Sequence, residues 1–235
     1  MNTTSMTDEA STSADIEDTL NLSDRAYQVI EARIVQIKYP PQHLLAEQQL
    51  SQELGISRTP IREALRRLAD DKLIQILPRK GAFVTDVEIK QYLHLLELRR
   101  DLERFVAIRA AKRRDGQQRA RMEKLIRELR DGIMAPDQAV FVFSDKAYKD
   151  LIVEAARNPF VNTMIGPLHA HSRRFWYYHR NRWDDDEAEH AIERHLAVME
   201  AVAQGDPDAA EHAVTKLFEY LEGFAHRVLQ SEHSL

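Results

Sequence analysis

The chain has 235 residues, of which 43% are hydrophobic and 30% charged, with a net charge of −5 and no cysteine. The length suits one small domain and one larger helical domain, and the missing cysteine excludes disulfides, thiolate metal ligands and a cysteine nucleophile. No apolar run approaches the ~18 residues of a spanning helix, and the first residues show no signal-peptide pattern. We therefore expect a cytoplasmic protein that does not enter the membrane.

The charge is distributed unevenly along the chain. Residues 1–20 carry 5 acidic side chains and no Lys or Arg, and their Ser- and Thr-rich composition without aromatics predicts a disordered leader. Residues 21–86 hold 10 basic and 8 acidic side chains, and residues 87–235 hold 23 and 25. A protein that coats nucleic acid non-specifically is expected to be strongly basic throughout, so this distribution argues against that class.

Two helices are predicted at the start of the segment 21–86. The first begins at Ser23 or Asp24 and ends near Lys38. The second ends at Gly55, because glycine readily adopts the positive φ found after a helix C-terminus. Ile56 follows and can fill the angle between this helix and the next.

A third helix follows, and its two faces differ in chemistry. Ser57 or Thr59 can cap it, and Pro60 falls in its first turn, where the missing N–H costs little. One face is apolar at i, i+4 and i+7 spacing: Ile61, Leu65 and Leu68. Another face carries arginines at the same spacing: Arg58, Arg62 and Arg66.

This arginine face is suited to the major groove of DNA, where Arg bonds guanine O6 and N7 bidentately for ~1 to 3 kcal/mol of discrimination. Two short strands follow, Leu73–Leu77 and Ala82–Thr85. The turn between them contains Arg79 and Lys80 and is predicted to contact the phosphate backbone or the minor groove. Arginines at this spacing are more often a solvated helix face. With the Gly-Ile-Ser turn and the basic hairpin, however, residues 21–86 are interpreted as a winged helix-turn-helix DNA-binding domain.

The segment 54–65 resembles the signature of GntR-type bacterial transcription regulators. The resemblance implies that Arg58 and Arg62 contact bases, and that Thr59 and Arg66 contact phosphate or neighbouring bases. It also implies a role for the wing glycine.

The wing glycine is Gly81, and the resemblance implies that it lets the wing approach the duplex closely. The sequence departs from the family pattern at Ala46, where a small polar cap is usual, and at Lys72, where glycine is usual. Both departures are expected to affect stability more than recognition.

From Val87 onward the periodicity is helical, so the fold class is mainly α. A helix of roughly 25 residues comes first, and further helices are predicted near 115–132, 136–156, 160–182, 186–204 and 206–230. We expect residues 87–235 to form an antiparallel helical bundle, a natural place for a ligand cavity. A second basic run, residues 112–130, is interpreted as a solvated helix face rather than a second DNA contact.

This arrangement resembles the FadR-like branch of the GntR family, whose helical C-terminal FCD domain dimerises or binds an effector. The matching landmarks are Arg99, Glu103, Asn158-Pro159, Glu193-Arg194-His195 and Gly205-Asp206. Many FCD domains hold a divalent metal through one Asp and three His. Aligning the landmarks puts Asp145, Lys149, His195 and Leu217 in these positions. An ammonium group has no lone pair and leucine has no donor atom, so we predict no bound metal and no cofactor.

Polar and aromatic side chains share one face on each of two predicted helices, and Arg99 and His195 complete a predicted effector site. The two faces contain Asp145, Tyr148 and Lys149, then His169, Arg173, Trp176, Tyr177 and Arg180. We hypothesise that Lys149 replaces the metal's charge and, with Arg173 or Arg174, anchors the carboxylate of a small organic acid. The alternative is that Asp145 and Lys149 form an ordinary i, i+4 pair worth ~0.2 to 0.5 kcal/mol and that the aromatics are core or dimer interface.

The sequence offers no support for an enzyme. It contains no Ser-His-Asp order, phosphate-cradling glycine loop or His-Glu-x-x-His spacing. We predict a homodimeric repressor that binds a short palindrome in double-stranded operator DNA and responds to the effector. The alternatives are a metal-responsive regulator of the same family, and a non-specific DNA-binding protein or bundle enzyme.

Overall fold

The computed structural model describes residues 7–133, 138–179 and 185–232. Over these ranges the chain is mainly helical with one small antiparallel sheet, as the sequence predicted. It divides into two compact units, Met1–Val87 and Glu88–Leu235. Among the helices within these ranges, none is long and apolar enough to cross a membrane.

The first unit contains three helices and three strands within its described part. They are α1 (Thr7–Val35), β1 (Leu44–Leu45), α2 (Glu47–Leu54), α3 (Arg58–Asp70), β2 (Ile74–Leu77) and β3 (Gly81–Val84). The strand order is β1-β3-β2, with both pairs antiparallel. Helices α1 and α3 pack together through residues that are almost fully buried: Ala26, Ile30, Ile34, Ile61, Leu65 and Leu68. The apolar stripe predicted for α3 is therefore the core face of this unit.

Helix α1 differs from its prediction at both ends. It begins at Thr7, so residues 7–20 are helical where the sequence analysis expected a disordered leader. This stretch contains no Gly or Pro, the two residues least compatible with a helix interior. Residues 1–6 of the expected leader lie outside the described residues. The helix ends at Val35 rather than near Lys38, because Ile37 has a φ of 59° and leaves the helical region.

The turn between α2 and α3 follows the prediction except in its cap. Gly55 has a φ of 65°, and Ile56 is buried between the two helices. Ser57 is the N-cap residue of α3, but its side chain makes no capping hydrogen bond, and Thr59 lies inside the helix, so the predicted side-chain cap is wrong. An N-cap oxygen usually accepts from the second or third N–H of the helix. Here the third residue is Pro60, which has none.

The second unit is a helical bundle. Its helices are α4 (Ile89–Arg113), α5 (Gly116–Ile133), α6 (Gln138–Ala156), α7 (Pro159–His179), α8 (Asp185–Gln204) and α9 (Pro207–Glu232). Helix α4 packs against α6, α7, α8 and α9, so it is the central helix. Its buried face is apolar except at Arg99 and Glu103, which place two charges inside the bundle.

Candidate functional site

Helix α3 presents its predicted DNA-contacting residues on one exposed face. Arg58, Thr59, Arg62 and Arg66 are all exposed, on the side opposite the buried stripe that packs against α1. The i, i+4 spacing of the three arginines aligns their guanidinium groups along the N-terminal part of the helix. This is the geometry that a recognition helix needs in a major groove. Contact with DNA remains a prediction for each residue.

Arg62 is held by a residue from the preceding helix. Its Nε donates to Glu47 Oε1 at 3.0 Å and its Nη2 donates to Glu47 Oε2 at 2.8 Å. The side chain of Arg62 is nevertheless 68% exposed. The hydrogen bond from Arg62, acting against the opposite effect of burial, lowers the pKa of Glu47. The carboxylate is therefore ionised at neutral pH.

A fourth arginine of α3 has a structural contact. Arg67 Nη1 lies 2.5 Å from Oδ1 of Asp24 on α1. Its guanidinium group stacks over the ring of Tyr27, also on α1, with its Cζ 4.5 Å from the ring centroid. This contact attaches α3 to α1, on a different side of the helix from Arg62 and Arg66. We therefore do not add Arg67 to the predicted DNA contacts.

The predicted wing is a tight hairpin. The last residue of β2, Leu77, pairs with the first residue of β3, Gly81. The Lys80 N–H donates to the Leu77 carbonyl at 3.1 Å. Arg79 and Lys80 are exposed at the tip. Gly81 has a φ of 104°, and a Cβ built there would lie 2.9 Å from Leu44 Cδ1. The positive φ favours glycine at this position, independently of any approach to DNA.

The helical unit contains a buried charged cluster, which we define as Arg99, Glu103, Lys149 and His169. Each of these side chains is at most 7% exposed. The Glu103 carboxylate is at the centre. It accepts from Arg99 Nε at 2.8 Å, from Lys149 Nζ at 2.5 Å and from His169 Nε2 at 3.1 Å. Arg99 also donates to the hydroxyl of Ser172 on α7.

The cluster fixes the charge of its members. Burial alone raises the pKa of Glu103, but Arg99 and then Lys149 reverse this and hold it well below its usual range. Burial lowers the pKa of His169 to about 4, even though Glu103 opposes the shift. At neutral pH His169 is therefore neutral and donates its Nε2–H to Glu103. The two cations Arg99 and Lys149 share one carboxylate in the bundle core.

The structure brings together only part of the predicted effector site. Arg99, Lys149 and His169 meet at Glu103, so the charge that Lys149 was expected to offer an effector is engaged by an internal carboxylate. The other predicted residues lie outside the cluster. Tyr148, Trp176 and His195 are buried, Arg173 and Tyr177 are half-buried, and Arg180 and the side chain of Asp145 lie outside the described residues.

Sequence reasoning missed the residue at the centre. Glu103 was recognised only as a landmark, and Ser172 was not singled out. Glu103 follows Arg99 by four residues, a spacing that usually marks an exposed helix pair. The available signal was the apolar surroundings of both residues on α4, which place them on the buried face with Leu96 and Val106.

The second basic run is paired with acidic side chains and helix ends. Arg119 contacts Glu123 at 2.7 Å and Arg121 contacts Glu154 at 3.1 Å. At the end of α4, Arg114 Nε donates to the Ala203 carbonyl at 2.7 Å. These contacts fit the interpretation as a solvated helix face that also stabilises the bundle.

Each of the two units matches a known protein family. Residues 22–84 match the family described as bacterial regulatory proteins, gntR family, and residues 94–220 match the FCD domain. The chain belongs to the GntR family of regulators with an FCD domain. It is a DNA-binding transcription regulator and not an enzyme, as predicted.

Two relatives of this GntR regulator are named as transcriptional repressors. It is 27% identical over 195 residues to the HTH-type transcriptional repressor RspR of Escherichia coli K12, covering 83% of this chain and 85% of the relative. It is 28% identical over 217 residues to the galactonate operon transcriptional repressor of Escherichia coli K12, covering 83% and 93%. The structure of E. coli McbR/YncC superposes with a TM-score of 0.78 at 19% identity, covering 88% of this chain and 98% of that one, which shows a shared fold.

The positions that the FCD resemblance assigns to a metal have other contacts in this GntR regulator. Lys149 bonds Glu103, and Leu217 is fully buried in the bundle core. His195 Nδ1 lies 2.8 Å from the Ala191 carbonyl, which can only accept, so Nδ1 is the donor in this hydrogen bond. Because neither Lys149 nor Leu217 provides a lone pair, the residues fit a metal poorly, and the absence of a bound metal remains our prediction.

Proposed function

We propose that this GntR regulator is a homodimeric repressor that binds a short operator palindrome and releases it when a small organic acid enters the helical unit. The observation that carries the effector part is the sharing of one buried carboxylate, Glu103, by two cations, Arg99 and Lys149. A bound carboxylate would accept hydrogen bonds from the same two cations. Galactonate, which appears in the name of one relative, is itself a hydroxylated carboxylate.

The DNA contacts follow from the exposed face of α3 and from the wing. Arg58 and Arg62 read bases in the major groove, while Thr59 and Arg66 bond phosphates or neighbouring bases. Arg79, Lys80 and Gly81 bring the wing to the adjacent backbone or minor groove. Two-fold symmetry of the dimer would then place one recognition helix on each half of the palindrome.

The effector would act by competing with Glu103. An incoming carboxylate that bonds Lys149 and Arg99 weakens their contacts with Glu103, and both Arg99 and Glu103 belong to the central helix α4. Only residues 85–88 separate strand β3 from α4. We propose that so short a connection transmits a tilt of α4 to the DNA-binding unit and changes the separation of the two recognition helices.

The DNA part is tested with sheared genomic DNA of the host at near-physiological salt. We expect the purified protein to retain a few sites that share a short palindrome, and Arg58→Ala or Arg62→Ala to weaken this enrichment while leaving the fold intact. Equal retention of all fragments by wild type and variants would contradict sequence-specific binding.

The effector part is tested on the recovered operator with galactonate, gluconate and short dicarboxylates as probes. We expect at least one to release the DNA, and Lys149→Met to remove the release without weakening operator binding. Lys146→Met is the matched control, because Lys146 lies on the same helix but is exposed and pairs with Asp150 at 2.8 Å. Release that persists in Lys149→Met would contradict the assigned anion site.

A further inference from the structure

The contact between Glu47 and Arg62 uses one edge of the guanidinium group and leaves the other open. A guanidinium can form paired hydrogen bonds through its Nε–Nη2 edge or through its Nη1–Nη2 end. Glu47 takes the Nε–Nη2 edge, with distances of 3.0 and 2.8 Å. Both hydrogens of Nη1 and the second hydrogen of Nη2 remain directed away from the carboxylate.

The backbone of Glu47 is fixed by the fold of the unit. Glu47 is the first residue of α2, directly after the N-cap Ala46, and Leu50 anchors the helix in the core. Helix α2 packs against α3 and is joined to it by the Gly55 turn. The helix-turn-helix, rather than a loop, therefore holds the backbone of Glu47 beside α3, and the two hydrogen bonds to Arg62 place its carboxylate.

We propose that Glu47 is a specificity-determining positioning residue, which holds Arg62 so that its Nη1–Nη2 end is presented to the O6 and N7 of one guanine. The inference rests on the proposed function, in which Arg62 reads a base. Without Glu47 the long arginine side chain would have to lose its rotamer freedom on binding the base, and it could turn instead to a phosphate. With Glu47 in place, part of this ordering precedes DNA binding.

Glu47 has a second effect of opposite sign. Its carboxylate is negative and lies on the DNA-facing side, so it repels phosphates and weakens binding to any duplex. Removing it should therefore lower the discrimination at one base pair and leave non-specific affinity equal or higher. Loss of fold would instead lower both together.

The test measures the dissociation constants of the full-length protein for the recovered operator, for operators with one base pair changed, and for a scrambled duplex. Arg62→Ala should lose about tenfold discrimination at one base pair of each half-site. Glu47→Gln should lose at least threefold at that same base pair, with scrambled-duplex binding unchanged or tighter. Glu47→Asp keeps the charge but shortens the reach, so it should lose discrimination with scrambled-duplex binding unchanged.

A double-mutant cycle and a matched control complete the test. In the Arg62→Ala background, Glu47→Gln should cause no further loss at that base pair. Asp24→Asn also removes one carboxylate from an exposed pair with an α3 arginine, Arg67, and should leave all discrimination unchanged.

Two results would overturn the inference while leaving the proposed function standing. One is that Glu47→Gln, like Asp24→Asn, leaves the discrimination at every base pair unchanged. The other is that Glu47→Gln lowers the discrimination at that base pair further when Arg62 is already alanine. If Arg62→Ala itself changes discrimination at no base pair, the base-reading role fails and the inference fails with it. Thermal unfolding of each variant shows that the compared proteins are folded.

Discussion

The two units use arginine–glutamate pairs in opposite ways. In the DNA-binding unit Glu47 and Arg62 form an exposed pair, with 37% and 68% of their side chains accessible. In the helical unit Glu103 and Arg99 are 7% and 4% accessible and share their charges with Lys149 and His169. An exposed pair contributes little to stability, whereas a buried cluster is costly to break. The same chemistry thus organises the core of one unit, and in the other we propose that it serves recognition.

The largest expected effect is on the buried cluster. Glu103→Ala leaves Arg99 and Lys149 buried without their shared carboxylate, so we expect the free energy of unfolding of the helical unit to fall by about 3 to 5 kcal/mol. Urea denaturation followed by circular dichroism measures it. Glu103→Gln, which keeps the shape and one acceptor, should lose less. A loss for Glu103→Ala below about 1 kcal/mol would remove the contrast between the two units.

Acidification should weaken the buried cluster in two steps. The folded pKa of His169 is lowered to about 4 from its ordinary 6.5, so its contribution is present above pH 6.5 and is lost as the pH falls toward 4. The full loss is at most roughly 3 kcal/mol, from ~1.36 kcal/mol per pKa unit. The pKa of Glu103 is also lowered, so its contribution is lost only in more acidic solution, as the pH falls through its folded pKa.

The measurement is urea unfolding at pH values from 8 to 4. His169→Gln should show a flatter decline between pH 6.5 and 4 than wild type and the same slope above pH 7. Identical slopes throughout the acidic range would mean that His169 does not carry a lowered pKa in the folded protein.

A smaller effect is expected at the end of the recognition helix. Lys72 has a φ of 63°, and the bonds from Lys72 N to Ala69 O and from Leu73 N to Leu68 O form a Schellman cap that favours glycine. Lys72→Gly should therefore raise the free energy of unfolding by about 0.5 to 1 kcal/mol with operator affinity unchanged. Gly55→Ala, at a φ of 65°, should move stability in the opposite direction by a similar amount. A destabilised Lys72→Gly would show that the lysine side chain makes a compensating contact.

The smallest effect on stability is expected for the exposed pair. Glu47→Ala should leave the unfolding midpoint within the error of the measurement, because both partners are well hydrated and gain little from contact. The same variant should change base discrimination, so thermal unfolding and DNA binding measured side by side separate the two roles. A clear drop in the midpoint would place Glu47 among the residues that hold α2 on α3.

The helix-turn-helix could be predicted from sequence because its determinants are local. Position 55 has a positive φ, which glycine adopts readily, and Pro60 suits the first turn of a helix. The i, i+4 spacing of α3 separates its core stripe from its arginines within one helix. The predicted side-chain cap at Ser57 was wrong, and Pro60, which has no N–H, removes one of the two donors that such a cap can use. The helices of the second unit were also predicted, since their periodicity and their breaks at Pro and Gly are local.

The buried cluster was decided by tertiary structure. Glu103 meets Lys149 and His169 across 46 and 66 residues of sequence, and no local pattern states which helices of a bundle become neighbours. The sequence determined that Arg99 and Glu103 share a helix face. The packing of α6, α7 and α9 against α4 removed water from that face, and this burial turned an ordinary helix pair into a charged centre of the core.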